Sequence, residues 1–248
     1  MNFKSIFKSF IRQLGYRIYK PNPYSIFDFE SFLYRFLATK PKINFIQIGA
    51  NDGSLLDPLY QFNIDNKDKV SGFVIEPLPD LFEKLTQNYE SIPTIIPVNI
   101  AIHNFKDKMK MYRVDPNKIS KSNIFASGIA SFDPEFYKKS KLGINQDDII
   151  EQTVVCKSFN DFIQDNSIDT IDLLQIDTEG YDAEIIYSID FDVVKPRIIR
   201  FEHGIRDGVM THDDFIKLCN YLNNYGYQII AESYDATAYL LNPEDLIF

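Results

Sequence analysis

The stretch FIQIGANDG, residues 45–53, runs from four mostly apolar positions straight into Gly49, Ala50, Asn51, Asp52 and Gly53. A short apolar run stopped by glycine reads as a buried parallel strand, here INFIQIG over 43–49. The small and polar residues after it let the backbone approach something closely, because glycine carries no Cβ and tolerates φ > 0. Taken alone, the pair Gly49 and Gly53 describes a tight strand-to-helix turn with nothing bound equally well.

Outward from that turn, strands and helices alternate. VSGFVIEP (70–77) reads as a second strand and LPDLFEKLTQNY (78–89) as a helix. PTIIPVNIAI (93–102) reads as a third strand, IDLLQIDTEG (171–180) as a fourth and PRIIRFEH (196–203) as a fifth. EQTVVCKSF (151–159) also has strand character, and DKMKMYRV (107–114) reads as one arm of a short hairpin. DDFIKLCNYLNNYGY (213–227) is helical, and QIIAES and TAYLL close the chain as two strands around Asp235. This alternation predicts an α/β, Rossmann-like sheet, mostly parallel with an antiparallel edge, and helices on both faces. Residues 115–150 are polar and read as a loop over a site.

With 248 residues the chain is long enough for a large buried core, and 45% apolar with 25% charged residues is the balance of a folded protein. A net charge of −9 argues against a nucleic-acid partner, which needs a basic surface. No run of 18 apolar residues is present to span a membrane. Cys156 and Cys219, far apart, suggest a reducing, cytoplasmic setting, and three scattered histidines without a CxxC argue against zinc. Residues 1–20 stand apart: Lys4, Lys8, Arg12, Arg17 and Lys20 accompany an apolar stripe of Phe3, Ile6, Phe7, Phe10, Ile11 and Leu14. That helix either lies on an anionic membrane surface as a peripheral contact or packs on the domain. Residues 1–40 are read as a helical extension and 41–248 as the domain.

Ligands of an open α/β sheet bind off the carboxyl ends of its strands, and here those ends are polar. They carry Asn51 and Asp52, Glu76 and Pro77, Asn99 and Ala101, Asp177 and Glu179, and Glu202 and His203. A carboxylate such as Glu76, ending the strand after the glycine turn, suits the hydroxyls of a ribose. The turn lacks G-x-G-x-x-G and holds Asp52, an unwelcome neighbour for a pyrophosphate but a tolerable one for an ammonium and a sulfonium. That favours S-adenosylmethionine over a dinucleotide.

FIQIGANDG, GFVIEPLPDLFEKL, VNIAI, SGIASF, LLQIDTEGYDAEII and RIIRFEH occur in this order over about 43–203, and together they resemble the FkbM-type methyltransferases of class I. The resemblance implies S-adenosylmethionine as cofactor and methylation of a hydroxyl, typically on a sugar of a glycan or natural product. It implies that Gly49, Ala50, Asn51, Asp52 and Gly53 surround the methionine end, that Glu76 and Pro77 hold the ribose, and that Asn99 and Ala101 flank the adenine. It places Asp177 beside the methyl group. The family often carries Lys two residues before that Asp, where this chain has Gln175. For the base that removes the hydroxyl proton, the candidates are Asp177, Glu202 and His203, with His103 behind them. Asp177, Glu179 and Asp182 are also a conceivable Mg²⁺ set, although the family resemblance does not call for a metal. Ser127 and Ser131 offer hydroxyls to a polar substrate. The rival reading is a non-catalytic nucleoside-binding scaffold, which Gln175 favours.

Overall fold

Asp28 opens the first helix by accepting a hydrogen bond from the Ser31 N–H at 2.7 Å, so an otherwise orphaned donor of the first turn is satisfied. The structure, a computed structural model, describes residues 27–240 apart from 56, 105–106, 120–123 and 139–142. The expected basic helix over 1–20 lies outside the described residues. From α1 (Phe29–Ala38) the chain enters β1 (Ile43–Ile48), α2 (Tyr60–Asp65), β2 (Val70–Ile75), α3 (Pro79–Tyr89) and β3 (Ile95–Val98). Four strands of a second layer follow: β4 (Ala101–Ile102), β5 (Lys108–Val114), β6 (Ala130–Ser131) and β7 (Ile149–Lys157). The chain then returns through α4 (Phe159–Asp165), β8 (Leu173–Ile176), α5 (Asp182–Ser188), β9 (Ile198–Glu202), α6 (His212–Asn224), β10 (Gln228–Ala231) and β11 (Asp235–Tyr239).

The main sheet runs β10-β11-β9-β8-β1-β2-β3. Strand β1 pairs in parallel with both β2 and β8, so the strand order reverses at β1 and opens a crevice there. Alternate residues of β1 feed two cores. Ile43 and Phe45 pack with Leu33 and Phe36 of α1, Phe62 of α2 and Leu85 of α3. Ile46 and Ile48 pack on the opposite face with Phe162 of α4, Ile186 of α5 and Leu218 of α6. The α/β architecture with helices on both faces is therefore as the sequence indicated. Helix α1 shares its core with β1 and β8, and Leu33 is fully buried. Truncating Leu33 to alanine is worth about 2–5 kcal/mol at such a site.

At one edge the sheet is antiparallel as expected: β11 inserts antiparallel between β9 and the edge strand β10. Two readings need correction. The run 93–102 is not one strand. It breaks at Asn99, and Ala101 pairs with Cys156 of β7 in the second sheet, ordered β4-β7-β5-β6. Nor is 107–114 an arm of a short hairpin, because β5 pairs antiparallel along its whole length with β7, from Lys108↔Val155 to Val114↔Ile149. Met111, Ala130, Val154 and Cys156 form the small core of this layer. It stands over the carboxyl ends of the main strands, and the run 115–150, expected as a loop over a site, contributes β6 and the start of β7 to it.

Candidate active site

Gly49 leaves β1 at φ +80°, and a Cβ there would sit 1.8 Å from the Asp177 carbonyl oxygen. The turns after β1 and β8 are thus pressed backbone to backbone, a contact only glycine permits. The Gly49 and Ala50 N–H groups both donate to the Ile75 carbonyl at 3.0 and 2.9 Å. Asn51 follows at φ +52°, and its N–H donates to Glu76 Oε2 at 2.9 Å. Glu76 Oε1 accepts from the Leu78 N–H at 2.9 Å. The carboxylate therefore welds the first turn to the second, with lone pairs left over for a ligand. Burial pushes Glu76 up to about 7 against these two hydrogen bonds and the nearby positive charge of Arg113.

A cleft lies between the strand ends and the second sheet, with about 1060 Å³ of empty space including its open mouth. Gly49, Ala50, Asn51, Glu76, Pro77 and Ala101 line it, as does Asp177. Leu78, Ile100 and Ile102 join Ala101 in an apolar part of the cleft lining. Phe132 and Tyr181 stand edge to face, 5.3 Å apart, on the wall formed with the second sheet, and His103 stacks behind Tyr181 at 5.3 Å. Ser131 turns away, donating to the Glu179 carbonyl at 3.5 Å and accepting from Asp133 N–H at 3.2 Å.

The remaining expected residues lie off the cleft wall. Asp52 folds its carboxylate back on its own turn and accepts from the Ser54 and Leu55 N–H groups, both at 2.8 Å. It therefore caps the turn, and the electrostatic reason it offered for choosing between cofactors is not realised. Gly53 packs on α3, where an added Cβ would stand 2.5 Å from Leu85. Asn99 donates to the Glu76 and Pro77 carbonyls at 2.8 and 3.1 Å, holding the second turn from behind. His203 is buried, with Nδ1 accepting from Ile205 N–H and Nε2 facing the Glu232 carbonyl, both at 3.3 Å.

Acidic groups gather at the ends of β8 and β9. The Asp182 carboxylate accepts from Thr178 N–H at 3.1 Å, Thr178 Oγ1 at 2.7 Å and Glu202 N–H at 3.0 Å, tying the two strand ends together. Burial raises Asp182 to about 6 in spite of those bonds. Glu179, at φ +54°, is pushed to about 7 by burial and by Asp182. Glu202 rises to about 8, again by burial first, then by Glu179, Asp182, Asp235 and Asp207. The Asp177 side chain is open to the cleft, yet protein encloses it on most sides. That enclosure, and the charges of Glu179, Asp182, Glu202 and Asp235, hold it well above the usual carboxylate range. Among the described residues no group of three or more His, Cys, Asp or Glu is arranged to hold a metal ion.

Sequence reasoning missed Gln47 and Asp57, and took Gln175 only as a departure. All three line the cleft. A visible signal existed: each glutamine interrupts an apolar strand at the same distance, two residues before Gly49 and before Asp177. Cys156 and Cys219 are free thiols. No helix among the described residues is long and apolar enough to cross a membrane.

The family model for the methyltransferase FkbM domain matches residues 47–229. Curated proteins give no match. Solved methyltransferases are similar to this chain at low identity and with TM-scores below 0.5. Precorrin-6y C5,15-methyltransferase from Geobacter metallireducens GS-15 is 12% identical over 85% of this chain and 87% of its own, with a TM-score of 0.43. The METTL16 methyltransferase domain is 12% identical over 98% and 83%, with a TM-score of 0.46. Fibrillarin from Aeropyrum pernix, solved with natively bound S-adenosyl-L-methionine, is 10% identical over 84% and 73%, with a TM-score of 0.42.

Proposed function

Because the chain belongs to the FkbM-domain methyltransferases and uses S-adenosylmethionine as its cofactor, we propose that it methylates a hydroxyl group, and that the acceptor is a sugar of a glycan or glycosylated natural product. The cleft fits the cofactor on its own terms. Glu76 has free lone pairs for ribose hydroxyls, the apolar lining around Ala101 and Ile102 suits the adenine, and the Gly49 turn borders the cleft at the methionine end. When bound, the cofactor supplies an electrophilic methyl on a good leaving group.

One observation carries the choice of acceptor: Asp177, alone of the three expected base candidates, lines the cleft, and its carboxylate is unusually basic. A neutral hydroxyl becomes a competent nucleophile as its proton leaves, and a raised carboxylate accepts that proton better than an ordinary one. Asp177 takes the proton and orients the oxygen lone pair toward the methyl. Burial first, then the charges of Glu179 and Asp182, keep its basicity high, and Glu202 adds to them. The main-chain contacts at both nitrogens of His203 suit a structural role. Phe132 and Tyr181 offer ring faces and edges to the C–H surface of a pyranose, and the second sheet that carries Phe132 shuts out bulk water.

The test is transfer of radiolabelled methyl from S-adenosylmethionine to a panel of free glycosides, nucleosides, amines and carboxylates. Label retained on a glycoside through alkali, as a methyl ether is, supports the reading. Label on an amine, or an alkali-labile methyl ester, overturns it.

A further inference from the structure

Arg113 lies on β5 of the second sheet, two residues after Met111 and on the same face. Met111 belongs there to a small apolar core with Leu78, Leu81, Ala130 and Cys156. An arginine is out of place beside it, and its side chain is only 2% exposed. The guanidinium reaches the first turn of α3, where Nη1 donates to Asp80 Oδ1 and Nη2 to Asp80 Oδ2, the latter at 3.1 Å. Asp80 lies four residues after Glu76, and between them is Leu78, whose N–H donates to Glu76 Oε1. The ion pair thus fastens the second sheet to the turn that carries Glu76.

Stability alone is a poor reason for such a pair. Desolvating the guanidinium offsets much of the attraction, and packed apolar residues often do as well or better. The pair is also lopsided: protein encloses Arg113, whereas the Asp80 side chain is 44% exposed and water screens its charge. A net positive field remains for the buried groups nearby, and Glu76 feels it. Burial acts most strongly on Glu76 and raises it, its two main-chain hydrogen bonds and then Arg113 work against that rise, and Asp80 works with it. The other ionisable groups on the same cleft wall are Asp57, Asp177, Glu179 and Tyr181, all acids, and the wall holds no Lys, Arg or His among the described residues. Arg113 is the counter-charge set behind them. We propose that Arg113 is a positioning residue for cofactor binding that acts through Glu76: its buried guanidinium, held by Asp80, supplies the positive field under which Glu76 meets the ribose as a carboxylate. This rests on Glu76 holding the ribose of S-adenosylmethionine. A carboxylate accepts hydrogen bonds from ribose hydroxyls at both oxygens, whereas a protonated carboxyl gives up part of that capacity. Affinity therefore falls as pH drops through the value at which free Glu76 gains its proton, about 7.

The experiment measures the affinity of the full chain for S-adenosylhomocysteine by calorimetry from pH 5 to pH 9. Glu76→Gln marks which inflection of the profile belongs to Glu76, because the other acids of the cleft remain in that variant. Arg113→Met and Asp80→Asn disturb the same ion pair, so a merely mechanical tie would change both profiles alike. The field gives them opposite signs. Without the cation the inflection should move to higher pH, and Arg113→Met should bind about threefold or more weakly at pH 7. Without the anion it should move to lower pH, and Asp80→Asn should gain at most about twofold at pH 7, because Glu76 is already about half ionised there. Arg113→Lys keeps the charge, loses the fork and should keep the wild-type inflection. Inflections that stay in place, or that move the same way in Arg113→Met and Asp80→Asn, overturn the role of Arg113. If Arg113→Met does not fold, an Asp80→Asn inflection that fails to move down overturns it by itself. A Glu76→Gln chain with the affinity and inflection of wild type overturns the ribose role instead, and the proposal that stands on it.

Discussion

Glu76→Gln tests the carboxylate that joins the first two strand ends, and its effects on stability and on binding depend on pH in different ways. Glu76 rises from its ordinary 4.5 to about 7 on folding. Between those values the folded chain keeps a proton that the unfolded chain has released. The contribution of Glu76 to stability is therefore greatest below pH 4.5 and is lost as pH climbs through 7. For a group this buried, the shift corresponds to about 3 kcal/mol lost across the window. Glutamine has no proton to lose and abolishes that slope. It also sets its NH₂ against one of the two main-chain donors, Asn51 N–H or Leu78 N–H, which costs about 1–3 kcal/mol at any pH. The variant should thus melt below wild type at pH 5 and close the gap, or pass it, at pH 8. For a chain of this size the relative change is roughly 6–12 °C. Thermal unfolding followed by circular dichroism at the two pH values reads it. Asp57, Glu179, Asp182 and Glu202 titrate in the same range in both proteins, so the difference isolates Glu76. At pH 8 the affinity for S-adenosylmethionine should fall about tenfold or more, because charge-assisted bonds to the ribose are gone. A melting gap that is identical at pH 5 and pH 8 refutes the burial argument, and unchanged affinity refutes the ribose role.

Asp177→Asn keeps the shape of the side chain but accepts no proton; turnover should fall about 10²–10⁴-fold while cofactor affinity stays within a few-fold, and full turnover removes Asp177 as the base. His203→Gln should leave turnover within about twofold and lower stability by about 1–3 kcal/mol, because two main-chain contacts are disturbed in a buried site; lost turnover at unchanged stability would restore the imidazole as a catalyst. A cation entering the cleft lowers the pKa values of its acids. With Glu179 near 7 and Glu202 near 8, S-adenosylmethionine binding at pH 7.5 should release protons, and uncharged-sulfur S-adenosylhomocysteine fewer. Calorimetry in buffers of different ionisation enthalpy measures both, and equal release by the two ligands contradicts a sulfonium lying beside the acids.

The alternation of strand and helix was legible because buried parallel strands write themselves as apolar runs stopped by glycine or an acid. INFIQIG and IDLLQIDTEG both did so. Direction and partner are not written in that way. Nothing in TAYLL says that β11 runs antiparallel between β9 and β10. The pairing of β5 with β7 spans a long polar stretch, so local periodicity offered only a hairpin arm. In the site, the glycine turn and Glu76 were legible because their chemistry needs those residue types. Asp52, Asn99 and His203 share the address but serve the main chain, and a side chain that turns inward reads the same in sequence as one that turns to a ligand.

Many of the places where local rules are broken fall along one edge of the sheet. Asn51 and Glu179 hold positive φ without being glycine, and Gln47, Gln175, Asp57 and Glu202 each bury an oxygen with no partner. Asp177, Glu179, Asp182 and Glu202 are all less acidic than solvent would leave them. A chain needing only a stable sheet would gain from leucine at 47 and 175, since Phe45 and Leu173 already pack well on the same face. The departures that line the cleft, such as the raised carboxylates of Glu76, Asp177 and Glu179, cost stability in the free protein and suit an occupant that carries N–H donors, hydroxyls and a positive charge. The unfavourable features thus describe the ligand more closely than the favourable ones do. Binding energy that relieves the raised carboxylates already present in the free cleft leaves little rearrangement for the transfer step, where positioning decides the rate.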